Sequence, residues 1–181
     1  MPSVPPILSS VLQKQIPNLK IEFPEVTATT PGQAIAKELA QSAPTLHLQS
    51  TDHHEAYIAI SLDPDAPFAT FPFLSPILHS CQTGLSGANG DIDEEGWTRL
   101  TATEQPAAPW IPPKPPRISG PHRYVFLIWV QPEGVTREKV WEMMGWGENV
   151  GLGKRIRWDI ESFVRKVGLG KIIGGAWFVS S

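Results

Sequence analysis

The sequence of 181 residues contains only one cysteine, Cys81, so it cannot form an intrachain disulfide framework, and we expect a reducing, cytoplasmic location. No apolar run approaches the roughly 18 residues of a transmembrane helix, and residues 1–8 lack the features of a secretory signal. Basic residues are in the minority, with 15 Lys and Arg against 18 Asp and Glu. The resulting net charge of −3 argues against nucleic-acid binding, which normally needs a basic face.

Proline and glycine are abundant, with 19 and 15 residues respectively. Together they stay below the level of about 25–30% that marks disordered chains, so a folded protein rich in loops is expected. The apolar fraction of 41% is sufficient for a core. A chain of this length fits one domain, and we expect an N-terminal arm over residues 1–18 and a single domain over residues 19–181.

The hydrophobic pattern predicts a mostly β protein with a few helices, of the α+β class. The most apolar strand, residues 122–130, should be buried on both faces and therefore central. Thr30, Pro31 and Gln33 have the form of a capping box and predict a helix to about residue 41. Further strands are expected at residues 19–23, 46–48, 56–62, within 71–81 and at 171–179, and further helices at 136–144 and 160–167.

Ionisable residues stand beside prolines in two segments, Asp63-Pro64-Asp65-Ala66-Pro67 and Gly120-Pro121-His122-Arg123-Tyr124. In an extended chain, Asp63 and Asp65 point to one side, as do His122 and Tyr124. The flanking prolines restrict the backbone and favour a preorganised site. A purely structural interpretation is also open, in which the acids are turn residues and Arg123 forms a buried pair with one of them.

These two segments, with Leu78-His79 and Pro115-Pro116 between them, resemble the phosphatidylethanolamine-binding protein family in both motif and order. The resemblance covers roughly residues 19–178, and the style of the motifs suggests a fungal member. It implies a central β-sheet with a smaller second sheet, a few peripheral helices, and a surface pocket for an anionic group such as a phosphate head group. It implies no cofactor and no metal.

The resemblance also implies roles for individual residues. Asp65 and Arg123 would be a buried pair that supports the pocket, and the Ala66–Pro67 peptide would be cis. Two imidazoles and a phenol can donate several hydrogen bonds to phosphate oxygens, and Asp63 would raise the pKa of a histidine. By motif position, the pocket would be lined by Asp63, His79, Pro116, His122 and Tyr124.

Three classes of function remain open at this point. The first is a module that binds a small anionic ligand and regulates or inhibits a protein partner such as a protease or kinase. The second is an enzyme without a cofactor, in which His122, Asp63, His79 and Tyr124 perform acid–base isomerisation, cyclisation or dehydration of a small polyketide-like substrate. The third is a protein-interaction domain whose pocket has no role.

Several other patterns are weaker. Ser80 follows His79 where the family usually carries a large hydrophobic residue, so the adjacent wall should be wider or more polar. The segment Asp52-His53-His54-Glu55 has metal-ligand residue types, but neighbouring histidines on a strand face opposite sides. His79 and Cys81 would share a strand face, so they could form a Cys–His pair in which the thiol is a nucleophile. A lone cysteine, however, usually packs as a small hydrophobic residue.

Overall fold

The fold is described from a computed structural model, which covers residues 4–13, 18–49, 56–88 and 90–181. The described residues contain ten strands and three α-helices. The helices are α1 (Pro6–Gln13), α2 (Arg137–Met144) and α3 (Ile160–Val167). The strands are β1 (Leu19–Phe23), β2 (Val26–Ala28), β3 (Gln33–Ala34), β4 (Thr45–Leu48), β5 (Ala56–Asp63), β6 (Ile77–Ser86), β7 (Thr98–Arg99), β8 (Thr101–Ala102), β9 (His122–Val130) and β10 (Gly174–Ser180).

The strands form two sheets. The larger has six strands in the order β3-β10-β9-β5-β6-β8, and the smaller has four in the order β2-β1-β4-β7. Pairing is antiparallel except between β10 and β3. As its apolar sequence predicts, β9 lies inside the larger sheet, between β10 and β5. The expected architecture of a central sheet, a smaller second sheet and peripheral helices is confirmed.

Two hydrophobic clusters hold these layers together. One lies between the larger sheet and the helices and includes Trp129 and Phe163, both fully buried. The other lies between the two sheets and includes Phe23, Tyr124 and Phe178. Alternate residues of β9 therefore enter different clusters, which is why this strand is apolar on both faces.

The helices α2 and α3 begin and end where local chemistry predicts. The Thr136 side chain accepts a hydrogen bond from the Lys139 amide at the start of α2, and Asp159 accepts one from Ser162 at the start of α3. Gly145 and Gly168 follow these helices with the positive φ that favours glycine at such ends. No helix within the described ranges has the length and apolar character to span a membrane.

The predicted helix over residues 30–41 is wrong. Gln33 and Ala34 instead form β3, which pairs in parallel with Phe178 and Val179 of β10. The Gln33 side chain accepts hydrogen bonds from the amide and hydroxyl of Thr29 and donates one to the Thr27 carbonyl. These bonds stabilise a turn before β3 and not the start of a helix. Only a single 3₁₀ turn, Lys37–Ala40, remains of the expected helix. A tertiary strand pairing has overridden the local signal.

The proline-rich segment at residues 106–116 lies along β6 and is held there by backbone and side-chain hydrogen bonds. Cys81 and Ala108 exchange two backbone bonds, and the Ile111 amide donates to the His79 carbonyl at 2.8 Å. The buried guanidinium of Arg155 adds a central connection. Its Nη1 donates to the carbonyls of Pro109 at 2.8 Å, His79 at 3.1 Å and Leu78 at 3.3 Å, and its Nε donates to Val150 at 2.8 Å.

We predict that Arg155→Met lowers the free energy of unfolding by about 3 kcal/mol, because it removes the buried donor that the carbonyls of Val150, Leu78, His79 and Pro109 share. Urea denaturation measures the effect. Lys154→Met is the matched control, since it removes a neighbouring exposed cation whose ammonium donates to the Gly145 carbonyl at 2.7 Å. The control should change stability by about 0.5 kcal/mol or less. Equal losses in the two variants would contradict the connecting role of Arg155.

Candidate functional site

The turn after β5 meets the start of β9 through two carboxylates. Asp63 Oδ2 accepts a hydrogen bond from His122 Nδ1 at 2.8 Å, and both side chains are almost completely buried. Asp63 Oδ1 accepts from the Asp65 amide at 2.7 Å, so the chain turns here and is not extended. The expectation that Asp63 and Asp65 point to one side is therefore wrong, because they bind consecutive residues of β9, which face opposite sides of the sheet.

Asp65 binds Arg123 with both carboxylate oxygens. Oδ2 accepts from Arg123 Nε and from its backbone amide, each at 2.8 Å, and Oδ1 accepts from Nη2 at 2.6 Å. Such bidentate geometry fixes a guanidinium in one orientation. The Ala66–Pro67 peptide in the same turn is cis, and so is Ser75–Pro76. The turn and the first residues of β9 are thus held in one arrangement.

The environment of His122 favours its protonated form. Burial opposes protonation, but the hydrogen bond to Asp63 and the charge of that carboxylate outweigh burial and raise the pKa of His122 above 6.5. Since Nδ1 must carry the proton donated to Asp63, the other nitrogen, Nε2, is a donor only when the ring is charged. Nε2 makes no well-formed hydrogen bond to a described residue, although the Pro67 carbonyl is near enough to favour the charge.

His79 has the opposite character. Burial lowers its pKa below 6.5, and nearby Arg155 and His122 lower it further. Its Nδ1 donates to the Ile111 carbonyl at 2.6 Å, a bond that favours protonation but does not outweigh burial. At neutral pH the ring is therefore uncharged, with Nε2 as its acceptor nitrogen. The pKa values of the two histidines in the cluster are therefore shifted in opposite directions.

Tyr124 lies between the two histidines and the inter-sheet core. Its ring stands edge-on to His79 with centroids 5.0 Å apart and stacks on Phe178 at 5.2 Å. Burial raises the pKa of the phenol, and the charges of Asp63 and Asp65 raise it further, so the hydroxyl stays protonated. Trp110 packs against His79 at 5.8 Å and donates its indole N–H to the Ala40 carbonyl, which gives it a packing role.

Ser180 is a member of the cluster that sequence reasoning missed. It is the cross-strand partner of His122, and directly paired residues project their side chains to the same face. The Ser180 hydroxyl is buried and, like His122 Nε2, makes no hydrogen bond to any described residue. Two unsatisfied polar groups therefore occupy adjacent positions. No sequence signal marks a serine next to the end of the chain as functional.

Pro116 is not part of this buried cluster. It lies on an exposed surface turn, where its carbonyl accepts from the Ser119 amide at 2.9 Å and from the Ser119 hydroxyl at 2.7 Å. The other four predicted ligand-binding residues, Asp63, His79, His122 and Tyr124, are brought together, and each is between 1 and 5% exposed.

The proposed Cys–His nucleophile pair is not formed. The pairing of β5 with β6 is irregular between Ser61 and Leu62, so His79 bulges out of register. It packs against Tyr124, whereas Cys81 lies in the helix-side cluster. Burial raises the pKa of the Cys81 thiol to about 12, which removes the thiolate that a nucleophile requires.

Metal binding finds no support in the described ranges, where no group of three or more His, Cys, Asp or Glu side chains is arranged around a possible ion. The Asp52-His53-His54-Glu55 segment lies outside the described residues. Asp63, Asp65, His79 and His122 do not form such a group, because Asp65 is directed to Arg123 and His79 to a backbone carbonyl.

Comparison with known proteins gives consistent matches. The chain is 32% identical to carboxypeptidase Y inhibitor of Saccharomyces cerevisiae over 110 residues, which is 57% of this chain and 50% of that protein. A second S. cerevisiae protein, uncharacterised, is 32% identical over 64% of this chain and 60% of its own length. The chain thus matches between half and two thirds of the length of these curated relatives. Both are yeast proteins, in agreement with the fungal character suggested by the motifs.

Solved structures share the fold. A crystal structure of carboxypeptidase Y inhibitor complexed with the cognate proteinase aligns with a TM-score of 0.70 at 20% identity, over 97% of this chain and 90% of that one. Phosphatidylethanolamine-binding protein from Plasmodium vivax aligns with a TM-score of 0.64 at 17% identity, over 90% and 83% of the two chains. The family model for phosphatidylethanolamine-binding protein matches residues 18–177. The chain therefore belongs to the phosphatidylethanolamine-binding protein family.

Proposed function

We propose that the cluster around His122 binds a phosphate-type anion, such as the head group of a phospholipid or a free phosphate ester. The observation that supports this most directly is the pair of unsatisfied buried groups, His122 Nε2 and Ser180 Oγ, at paired positions of β9 and β10. Buried polar groups normally have partners, and a site that leaves two neighbours unpaired is suited to a ligand that supplies acceptor oxygens.

Each residue has a definite part in this proposal. His122, whose protonated form is stabilised by Asp63, donates from Nε2 to one anion oxygen, and the Ser180 hydroxyl donates to another. Tyr124 stays protonated and adds a third donor. His79 is neutral, so its Nε2 accepts a hydrogen bond from a ligand hydroxyl or ammonium group. A phosphate group attached to a protonated amine, as in phosphoethanolamine, carries both kinds of partner.

The charges around the cluster favour an anion. Three segments adjoin this end of the larger sheet, residues 64–76, 111–123 and 152–158. Asp65 in these segments is paired with Arg123, and Asp63, which directly precedes them, is paired with His122. The same segments contain five further cationic residues, Lys114, Arg117, Lys154, Arg155 and Arg157. A basic end on a chain with a net charge of −3 raises the local concentration of an anionic ligand.

An anion reaches these buried atoms only if a covering segment moves. The proline-rich segment is the candidate, because its Ile111 carbonyl binds His79 and the backbone of Lys114 bonds to the Tyr124 hydroxyl. Movement of this segment would expose both rings at once.

We predict that His122→Ala weakens the binding of inorganic phosphate and phosphoethanolamine by about tenfold to a hundredfold, since it removes a charged donor. Ser180→Ala should weaken binding by about fivefold, the value of a neutral hydrogen bond. Isothermal titration calorimetry measures both. Thr83→Val is the matched control, because Thr83 carries another unsatisfied buried hydroxyl on β6, outside the cluster. Unchanged affinity in His122→Ala, with the fold intact by circular dichroism, would refute the assignment.

We predict that anion affinity depends on pH through His122. Its pKa is raised above 6.5, so binding is complete below that pKa and is lost as pH rises through it. Sulfate is the appropriate probe because its own charge is constant over this range. In Asp63→Asn the stabilising carboxylate is absent, burial dominates, and the loss of binding should move about one pH unit or more to lower pH. Ser180→Ala should keep the midpoint of the wild type. A flat profile for the wild type would contradict the mechanism.

We further propose that the protein inhibits a protease. Carboxypeptidase Y inhibitor is among its relatives, and the corresponding crystal structure contains the cognate proteinase. The surface beside the cluster carries two exposed aromatic rings in contact, Phe71 and Phe73, with centroids 5.3 Å apart. Exposed aromatic pairs of this kind are common in protein interfaces.

We predict inhibition of yeast carboxypeptidase Y at micromolar or lower concentration, measured by peptide hydrolysis. The double variant Phe71→Ser/Phe73→Ser should weaken inhibition about tenfold or more if these rings are buried in the interface. Ile92→Ser, which changes a comparably exposed side chain between β6 and β7, is the control. Absence of inhibition by the wild-type protein at a hundredfold excess would exclude this protease as the partner.

An acid–base enzyme is the alternative that one observation favours. Two neighbouring histidines whose pKa values are shifted in opposite directions can serve as acid and base, with His122 donating and His79 accepting a proton. Asp63 would orient His122, and Tyr124 would assist as a donor. Mass spectrometry distinguishes the two functions: a bound small molecule recovered unchanged supports the binding module, and a changed mass supports the enzyme.

A further inference from the structure

A cavity of about 270 Å³ lies between the two sheets, beside the histidine cluster and separated from it by Trp110. Its floor is formed by Ala59 and Ser80, two small residues on neighbouring strands of the larger sheet. Exposed Ala43 and Ala102 stand at its opening. Small side chains on the floor leave space that a larger residue at position 80 would fill.

The lining is neutral. The walls are aromatic and aliphatic, with Trp110 and Phe126 on one side and Leu46 of the smaller sheet on the other. None of the described residues that line this cavity is charged, although the histidine cluster nearby is strongly polar. Since a charged ligand would lose its hydration without gaining a counterion here, the cavity selects against ions.

Two alternate residues of β6, Ser80 and Gln82, bring a hydroxyl and an amide to this apolar surface. Ser61 is paired with Ser80 and with Phe126 and faces the same side of the sheet as these two lining residues, but it lies behind them and does not itself line the cavity. The Ser61 hydroxyl is fully buried and makes no hydrogen bond within the described part of the chain. Gln82 donates from Nε2 to the carbonyls of Thr83 and Glu104, so its Oε1 remains to accept from a ligand.

The volume limits the size of the occupant. A protein cavity of about 150 Å³ accommodates benzene. A cavity of about 270 Å³ therefore accommodates a compound of one or two rings. Together with the neutral lining and the cluster of hydroxyl and amide groups, this defines both the size and the polarity of the ligand.

We propose that this cavity is a second ligand site, for a neutral ring compound of one or two rings that carries a hydroxyl group. The rings pack against Trp110 and Phe126, and the ligand hydroxyl donates to Gln82 Oε1 and accepts from the Ser80 hydroxyl. This proposal does not rest on the anion site, because the two sites share a wall but no charged group.

The test uses 2-naphthol as probe and naphthalene as the matched compound without a hydroxyl. Calorimetry should give saturable binding of one 2-naphthol per chain, with naphthalene bound about fivefold more weakly. Ser80→Leu, which fills the floor, and Ala102→Trp, which blocks the opening without entering the core, should each weaken 2-naphthol binding about tenfold or more. Ser86→Leu, on the same strand but outside the cavity, is the control and should bind as the wild type does.

The location of binding is checked by NMR of the tryptophan indole groups. The signal that is absent in Trp110→Phe belongs to the indole N–H bonded to Ala40, and it should shift on addition of 2-naphthol. Undiminished binding in both Ser80→Leu and Ala102→Trp, or no saturable binding by the wild type, would overturn the proposal. Phosphate binding is measured on the same variants. A variant that loses 2-naphthol binding but still binds phosphate shows that only the cavity between the sheets is affected.

Discussion

The candidate site depends on the start of β9, where two consecutive residues each form a hydrogen-bonded ion pair with a carboxylate at the end of β5 or in the turn that follows it. His122 and Arg123 face opposite sides of the sheet, and Asp63 and Asp65 reach one each. The His122 side chain is almost completely buried, whereas the Arg123 side chain is one-third exposed and is held in place by both oxygens of Asp65. The raised pKa of His122, the conformation of the turn and the position of Tyr124 all follow from this double attachment.

Much of the fold could be predicted because its signals are local. The apolar run of β9, the caps of α2 and α3 and the glycines that end these helices each act within a few residues. The candidate site was predictable in part for the same reason, since its residues stand in two proline-flanked segments. That these segments meet depends on strand order, which the family resemblance implied and the residues themselves did not.

The remaining features depend on contacts that are distant in sequence. The capping box at Thr30 has the form of a helix start, but pairing of Gln33 with Phe178 determines the outcome. Arg155 stands in a run of basic residues typical of a solvated loop, yet carbonyls from three segments surround it. Ser180 gains its importance only because register places it opposite His122. No window of local sequence contains this information.

The short outer strands also have a consequence for self-association. Both sheets end in strands of only two or three residues, namely β2 and β7 on the smaller sheet and β3 and β8 on the larger one. An exposed strand offers its unpaired amides and carbonyls as a template for a neighbouring molecule, and a strand this short offers almost none. The long apolar strands β9 and β5 are enclosed within the sheet. The topology thus protects the most aggregation-prone segments from intermolecular β-sheet growth.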